Sequence, residues 1–208
     1  MFEKSNTQIE AEKILKTDYS GIPNEQNENA MVAVSSFISH TIAPESIEKI
    51  TTEAVRTIHR LFDFQFVAIA LKDNDGLFRF KAQLGLTSES EKAYFAIAYS
   101  TTDLFDDSTF PSTAISDLTR FYMSENVPYK EDEVGTYDRP LLLTQKRMSA
   151  DEMIEGDYID VFIQDWKKEI IGYIELGTTR SKKFPDRNTI EWLELIATLI
   201  GLIISIKT

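Results

Sequence analysis

The segment from about Asp186 to the end of the chain is the strongest constraint on the fold. On a 3.6-residue period, Ile190, Leu193, Ala197, Ile200 and Ile204 form one stripe, and Trp192, Leu195, Leu199, Leu202 and Ile206 form a second. A helix that is apolar on two sides needs two partners. The strand pattern just upstream, IIGYIEL at 170–176, supplies a sheet for one stripe. The other calls for a helix of the same chain, a second copy, or both. The uncharged run LIATLIGLIISI is about a dozen residues, where a membrane span needs about 20, so no membrane role is expected.

The rest of the chain reads as a sheet with helices at its two ends. Residues 1–28 are polar and read as a flexible arm, and residues 29–208 as one domain. Met31, Val34, Ser35, Ile38 and Ile42 make a helix stripe that ends before Pro44. A second helix follows, with Pro44 in its first turn, Glu45 and Glu48 at its positive end, and Ile47, Ile50, Ala54, Ile58 and Leu61 buried. The period then drops to 2. Residues 64–71 are apolar on both faces, DNDG at 73–76 is a turn, and Phe78, Phe80, Ala82 and Leu84 alternate with Arg79, Lys81 and Gln83 on a returning antiparallel strand. Residues 88–157 hold a short helix near SESEKAYFAIAY, a short strand at TAISD and aromatic-rich loops. YIDVFIQ and EIIGYIELGT then form two strands joined at DWKK. The order predicts an α+β sandwich with a central antiparallel sheet.

Charge and composition exclude several classes of function. The net charge of −12, with scattered Lys and Arg, repels a nucleic-acid backbone. The absence of cysteine removes disulfides, thiolate nucleophiles, Cys-type metal sites and thioether attachment of a chromophore. No secretory signal pattern opens the chain, so a cytoplasmic location is expected. His40 and His59 lack metal-ligand spacing and read as helix surface or packing residues. The acidic runs DLFDD and EDE match no calcium loop and read as solvated faces, so no metal site is expected.

Three stretches together carry a family resemblance: the helix leading into FQFVAIALKDNDGLFRFKAQLGL, TAISDL at 113–118, and IIGYIEL with Gly172 followed by KKFPDRNTIEWLELIATLIG. In order and spacing they resemble a GAF domain, a PAS-related small-molecule sensory and dimerisation module. The resemblance implies N- and C-terminal helices on one face of the sheet, with loops and short helices closing a pocket on the other. It also implies ligand sensing in signal transduction, a homodimer through the terminal helices and a downstream signalling partner. The chain departs from the family's pattern at DWKKE (165–169), where many relatives carry a glycine, and it lacks the signature of cyclic-nucleotide-binding members.

The pocket expected between the sheet and residues 95–140 has Phe66, Ala68 and Phe80 as its floor. Phe121 adds a ring to its wall, and its polar groups are drawn from Tyr99, Thr101, Asp103, Asp117, Tyr122, Tyr137 and Arg139. Arg139 could anchor a carboxylate or phosphate, or pair with neighbouring acids. No catalytic set accompanies Asp103 and Asp117, so enzymatic acid-base chemistry ranks last. The cofactor is left open. The alternative to sensing is a ligand-free homodimerisation scaffold whose own rings fill the pocket.

Gly172 is expected to let the terminal helix or a ligand approach its strand closely, whereas a side chain at Gly177, at the strand's exposed end, is expected to matter less.

Overall fold

The computed structural model describes residues 31–32, 34–39, 46–108, 110–126, 135–137 and 145–207. The expected arm at 1–28, Pro44, Glu45, His40 and Arg139 lie outside them.

Residues 34–39 are helical and bury Val34 and Phe37. Helix α1 (Ile47–Leu61) is capped by Ser46, whose Oγ accepts the Lys49 amide hydrogen at 3.2 Å. Helix α1 buries Ile50, Ala54, Val55 and Ile58, whereas Ile47 of the predicted stripe is exposed and Leu61 half-buried.

Seven strands form one antiparallel sheet. They are β1 (Val67–Lys72), β2 (Phe78–Leu84), β3 (Ala98–Tyr99), β4 (Thr113–Ala114), β5 (Thr119–Tyr122), β6 (Tyr158–Gln164) and β7 (Ile170–Leu176), in the order β3-β2-β1-β7-β6-β5-β4. The turn between β1 and β2 closes with the Gly76 amide donating to Asp73 O, and Gly76 takes a positive φ of 84° as its sequence position predicts. The turn between β6 and β7 works without glycine. Lys168 adopts φ 66°, and Asp165 Oδ1 accepts both the Lys167 and Glu169 amides at 2.8 Å. That side chain secures the left-handed residue where a glycine would need no help.

The strand order dictates where the pocket forms. Strand β3 lies at one edge and β4 at the other, so the chain between Tyr99 and Thr113 must cross the whole sheet. Six inter-strand spacings of about 4.8 Å are within reach of this segment at about 3.3 Å per residue. Helices α2 (Ser88–Ala96) and α3 (Thr101–Phe105) lie before and within the crossing, and Leu104 and Phe105 pack onto Phe162 and its neighbours.

Helix α4 (Arg187–Lys207) covers the opposite face with α1. Asp186 caps it, its Oδ1 accepting the Thr189 amide at 2.7 Å, and Phe184 packs edge-on against Phe121 at 5.0 Å. The first stripe is buried throughout. In the second, Trp192 and Leu199 are half-buried against the core, while Leu195, Leu202 and Ile206 remain 44%, 42% and 85% exposed. At 21 residues α4 is long and apolar enough to cross a bilayer, which the uncharged run alone does not indicate. Half of that stretch is buried inside the domain, as expected of a core helix.

The glycine expectations need correction. A Cβ on Gly172 would meet Ala70 O at 2.5 Å and Leu71 Cδ2 at 2.7 Å, so its close neighbour is strand β1, not a helix or ligand. The terminal helix approaches the sheet through its own Gly201, whose Cβ would fall 2.0 Å from Gln164 O. Gly177 is buried against Phe66, whose ring atoms would lie 2.0 Å from an added Cβ.

Candidate functional site

Strand alternation sends two sets of side chains to opposite faces of β6 and β7. Ile159, Val161, Ile163, Ile174 and Leu176 face α1 and α4. Phe162 and Tyr173 belong to the other layer, and Tyr158, Asp160 and Glu175 line its cavity. Beside them, β1 contributes Ala68 and Ala70, small residues that leave room above the sheet, and β2 contributes Phe78 and Phe80. The crossing segment and α2 form the roof, with Tyr94, Ile97, Tyr99, Asp103, Leu104 and Phe110. Between floor and roof lies a cavity of about 100 Å³.

Its walls are largely aromatic. Phe80 and Tyr94 have ring centroids 4.8 Å apart, Phe66 and Tyr94 5.7 Å, and Tyr122 stacks on Tyr158 at 4.4 Å. Tyr137 lines the cavity, and its carbonyl accepts the Ser90 hydroxyl at 2.7 Å, tying this segment to α2.

At the bottom sit two carboxylates on adjacent strands, Asp160 and Glu175, directly opposite each other in register and 2% and 8% exposed. Glu175 Oε1 accepts the Tyr94 hydroxyl at 2.7 Å. Asp160 Oδ1 is buried without a hydrogen-bond partner. Burial pushes Glu175 up to about 7, against the opposing pull of the Tyr94 hydrogen bond. Asp160 is driven well above the usual carboxylate range, first by burial and then by repulsion from Glu175, and the Tyr122 hydroxyl and Arg120 charge only partly offset this. Burial also holds the Tyr94, Tyr122, Tyr158 and Tyr173 hydroxyls above their ordinary value, so they remain neutral donors.

At the rim, Asp157 is fully engaged. It accepts the Ser124 and Ile154 amides at 2.9 Å and pairs with Arg147, which also grips Glu125.

Six of the eleven residues expected in the pocket line it: Phe66, Phe80, Tyr99, Asp103, Tyr122 and Tyr137. Asp103 also has a structural task, since its Oδ2 accepts the Ser100 amide and hydroxyl at 2.7 Å in the capping box of α3. Ala68 lies in the same layer beneath the rings without lining the cavity. Three others are elsewhere. Phe121 follows Arg120 and precedes Tyr122, so strand alternation turns it to the helix face, where it borders a separate groove of about 680 Å³ with Phe184 and Ile190. Asp117 is exposed in the bend before β5, a bend held by Ser116 Oγ accepting the Leu118 and Thr119 amides. Thr101 is exposed in the first turn of α3. Arg139 lies outside the described residues.

Asp160 and Glu175 escaped the sequence reading, although a signal exists: each is a lone acid within a strand whose other positions are nearly all apolar. His59 is a packing residue at the end of α1, its Nε2 3.2 Å from Gln65 O and 3.0 Å from Arg180 Nη2.

No family model matches the sequence, and no curated protein matches it. Solved structures do match. The A. aeolicus NLH2 GAF domain in an inactive state aligns over 88% of this chain and 100% of its own, with TM-score 0.56 and 14% identity. A GAF domain/HD domain protein from Geobacter sulfurreducens aligns over 82% and 97%, with TM-score 0.55 and 11% identity. The far-red absorbing dark state of JSC1_58120g3 with bound biliverdin IXa aligns over 84% and 98%, with TM-score 0.51 and 14% identity. The helices behind an antiparallel seven-stranded sheet, with a crossing segment in front of it, are thus an arrangement shared with these proteins at very low identity, and the chain has the GAF fold.

Proposed function

We propose that this chain is a non-enzymatic sensory domain of a signal-transduction or regulatory protein, binding a small molecule between the sheet and residues 95–140. The observation that carries this reading is the aromatic cavity with two buried carboxylates at its base, one with an unpartnered oxygen. A core built for stability alone places apolar groups there, because buried charge without a partner is costly. Solved relatives of the fold include a biliverdin-bound protein and a bacteriophytochrome, which favours sensing as the use of such a cavity. Biliverdin itself is a poor candidate here. A tetrapyrrole needs far more room than about 100 Å³, and the chain has no cysteine to tether one.

Output in this reading runs through α4, whose apolar stripe at Leu195, Leu202 and Ile206 would pair with a second copy in a soluble cytoplasmic homodimer or meet a downstream signalling protein. That same stripe also favours the second reading, a ligand-free dimerisation scaffold. Native mass spectrometry of the purified protein, before and after denaturation, separates the two. A small molecule released on denaturation supports sensing, and a dimer that releases nothing and binds no added compound supports the scaffold.

A further inference from the structure

Resting on the reading of this cavity as a ligand pocket, we propose that its ligand is a compact organic cation, a protonated nitrogen base whose N–H groups lie between Asp160 and Glu175. Five carboxylate residues line the cavity, Asp103, Glu155, Asp157, Asp160 and Glu175, and no Lys, Arg or His does so among the described residues. Among the described residues, two cations on the neighbouring segments are committed elsewhere. Arg120 Nη1 pairs with Asp107 at 3.1 Å and bonds Ser112 at 3.0 Å, with its guanidinium over the Phe105 ring, and Arg147 is held by Asp157 and Glu125. Among the described residues an anion would therefore enter a field of its own sign, eased only by Arg120, the cross-strand neighbour of Asp160, which is already paired with Asp107.

A cation gains from the same features. Asp160 Oδ1 is an acceptor in want of a donor, and it lies across the strand pair from a second carboxylate. An ammonium carries three donors and can serve both. The rings of Phe80, Tyr94, Tyr122 and Tyr173 line the same cavity, and an aromatic face attracts a cation rather than an anion. Burial raises both carboxylates above their ordinary range, so a cation and a proton compete for this pair.

Two observations narrow the class. Among the described residues no group of three His, Cys, Asp or Glu can hold a metal ion, which favours an organic cation over a metal. An apolar cavity of about 150 Å³ accepts benzene, so about 100 Å³ limits the enclosed part of the ligand to roughly that size.

The test uses the full chain and two matched sets of probes at millimolar concentration: benzylammonium, benzyl alcohol and benzoate, and butylammonium, butanol and butyrate. Calorimetric titration and melting shifts are read for the wild type, Asp160→Asn, Glu175→Gln and, as a control at an exposed position, Thr101→Ala. The expected result is that at least one ammonium binds about tenfold or more tightly than its alcohol, that neither carboxylate binds, and that Asp160→Asn lowers the ammonium affinity by about tenfold or more, the range of a charge-assisted hydrogen bond. Glu175→Gln should lower it too, which keeps the test decisive should Asp160→Asn fail to fold. Equal or tighter binding of an alcohol or carboxylate overturns the cation assignment while leaving a ligand pocket. Unchanged ammonium affinity in both carboxylate variants overturns it as well, by placing the cation elsewhere. If no probe binds, the cation assignment falls, and the pocket reading is then decided separately by the native mass measurement.

Discussion

Replacing Glu175 by Gln should stabilise the domain, and by an amount that depends on pH. The carboxyl has an ordinary value of 4.5 and is pushed up to about 7 by burial. Below pH 4.5 it is protonated in both folded and unfolded chains and costs nothing. As pH rises from there toward 7, the unfolded chain ionises while the folded one holds its proton, so stability falls, and above about 7 the loss is complete. With each pK unit worth about 1.36 kcal/mol, the wild type should lose roughly 2–3 kcal/mol between pH 5 and pH 8 through this group. Glutamine does not ionise, and it keeps an acceptor for the Tyr94 hydroxyl, which now donates to Oε1 at 2.7 Å.

The groups facing this position act in the same direction or stay silent. Asp160 on β6 is raised partly by Glu175, so removing that charge relieves it as well, again most at high pH. Tyr94 on α2, Tyr122 on β5 and Tyr173 on β7 stay neutral across this window, and Arg120 on β5 pairs with Asp107. Urea unfolding of both proteins at pH 5 and pH 8 reads the effect directly, and in melting experiments a change of roughly 2–3 kcal/mol corresponds to roughly 5–10 °C for a domain of this size. A variant-minus-wild-type difference that is the same at both pH values, to within about 0.5 kcal/mol, would refute the reasoning, because Glu175 would then ionise as freely folded as unfolded.

Gly201→Val should cost about 3 kcal/mol or more in chemical denaturation, because its side chain must displace the backbone of Gln164 from α4. Lys168→Gly should stabilise by about 1 kcal/mol, since it relieves a left-handed backbone at φ 66°, and no gain would mean that the Asp165 hydrogen bonds already cancel the strain. Leu202→Glu combined with Ile206→Glu should leave a folded chain that sediments as a monomer if the exposed stripe of α4 forms a dimer. Trp192 and Leu199 are unsuitable for that test, because both pack partly against the core.

The fold was legible wherever one period held over a whole element. Residues 158–164 and 170–176 read as strands because their apolar runs are short and bounded, and α4 read as a core helix because its first stripe repeats without interruption. Strands β3, β4 and β5 were harder. Two of them are two residues long, and their pairing is fixed by the path of the crossing segment, a long-range fact with no local period. Gly172 and Gly177 were misjudged for a related reason. Whether a glycine meets a neighbouring strand or an aromatic ring depends on register, and register at Leu71 and placement of the Phe66 ring are settled only in the assembled sheet.

The site was half legible, and the division follows chemistry. Aromatic clustering between Tyr94 and Tyr137 pointed to the cavity, because rings bury wherever they gather, and it also swept in Phe121, which one step of strand alternation carries to the far face. Exposed polar groups were overvalued: Asp117, in a bend, and Thr101, in the first turn of α3, both face water. The informative acids are the ones that break the local rule. Asp160 stands between Ile159 and Val161, and Glu175 between Ile174 and Leu176, where strand packing alone favours an apolar residue. Each lowers the stability of the empty domain at neutral pH, and no internal ion pair offsets either among the described residues. A violation of this kind in two adjacent strands is expected of a site kept for what it binds. The stability that Gln gains at position 175 would then be matched by ligand affinity lost, and measuring both in one variant shows whether the two carboxylates serve packing or recognition.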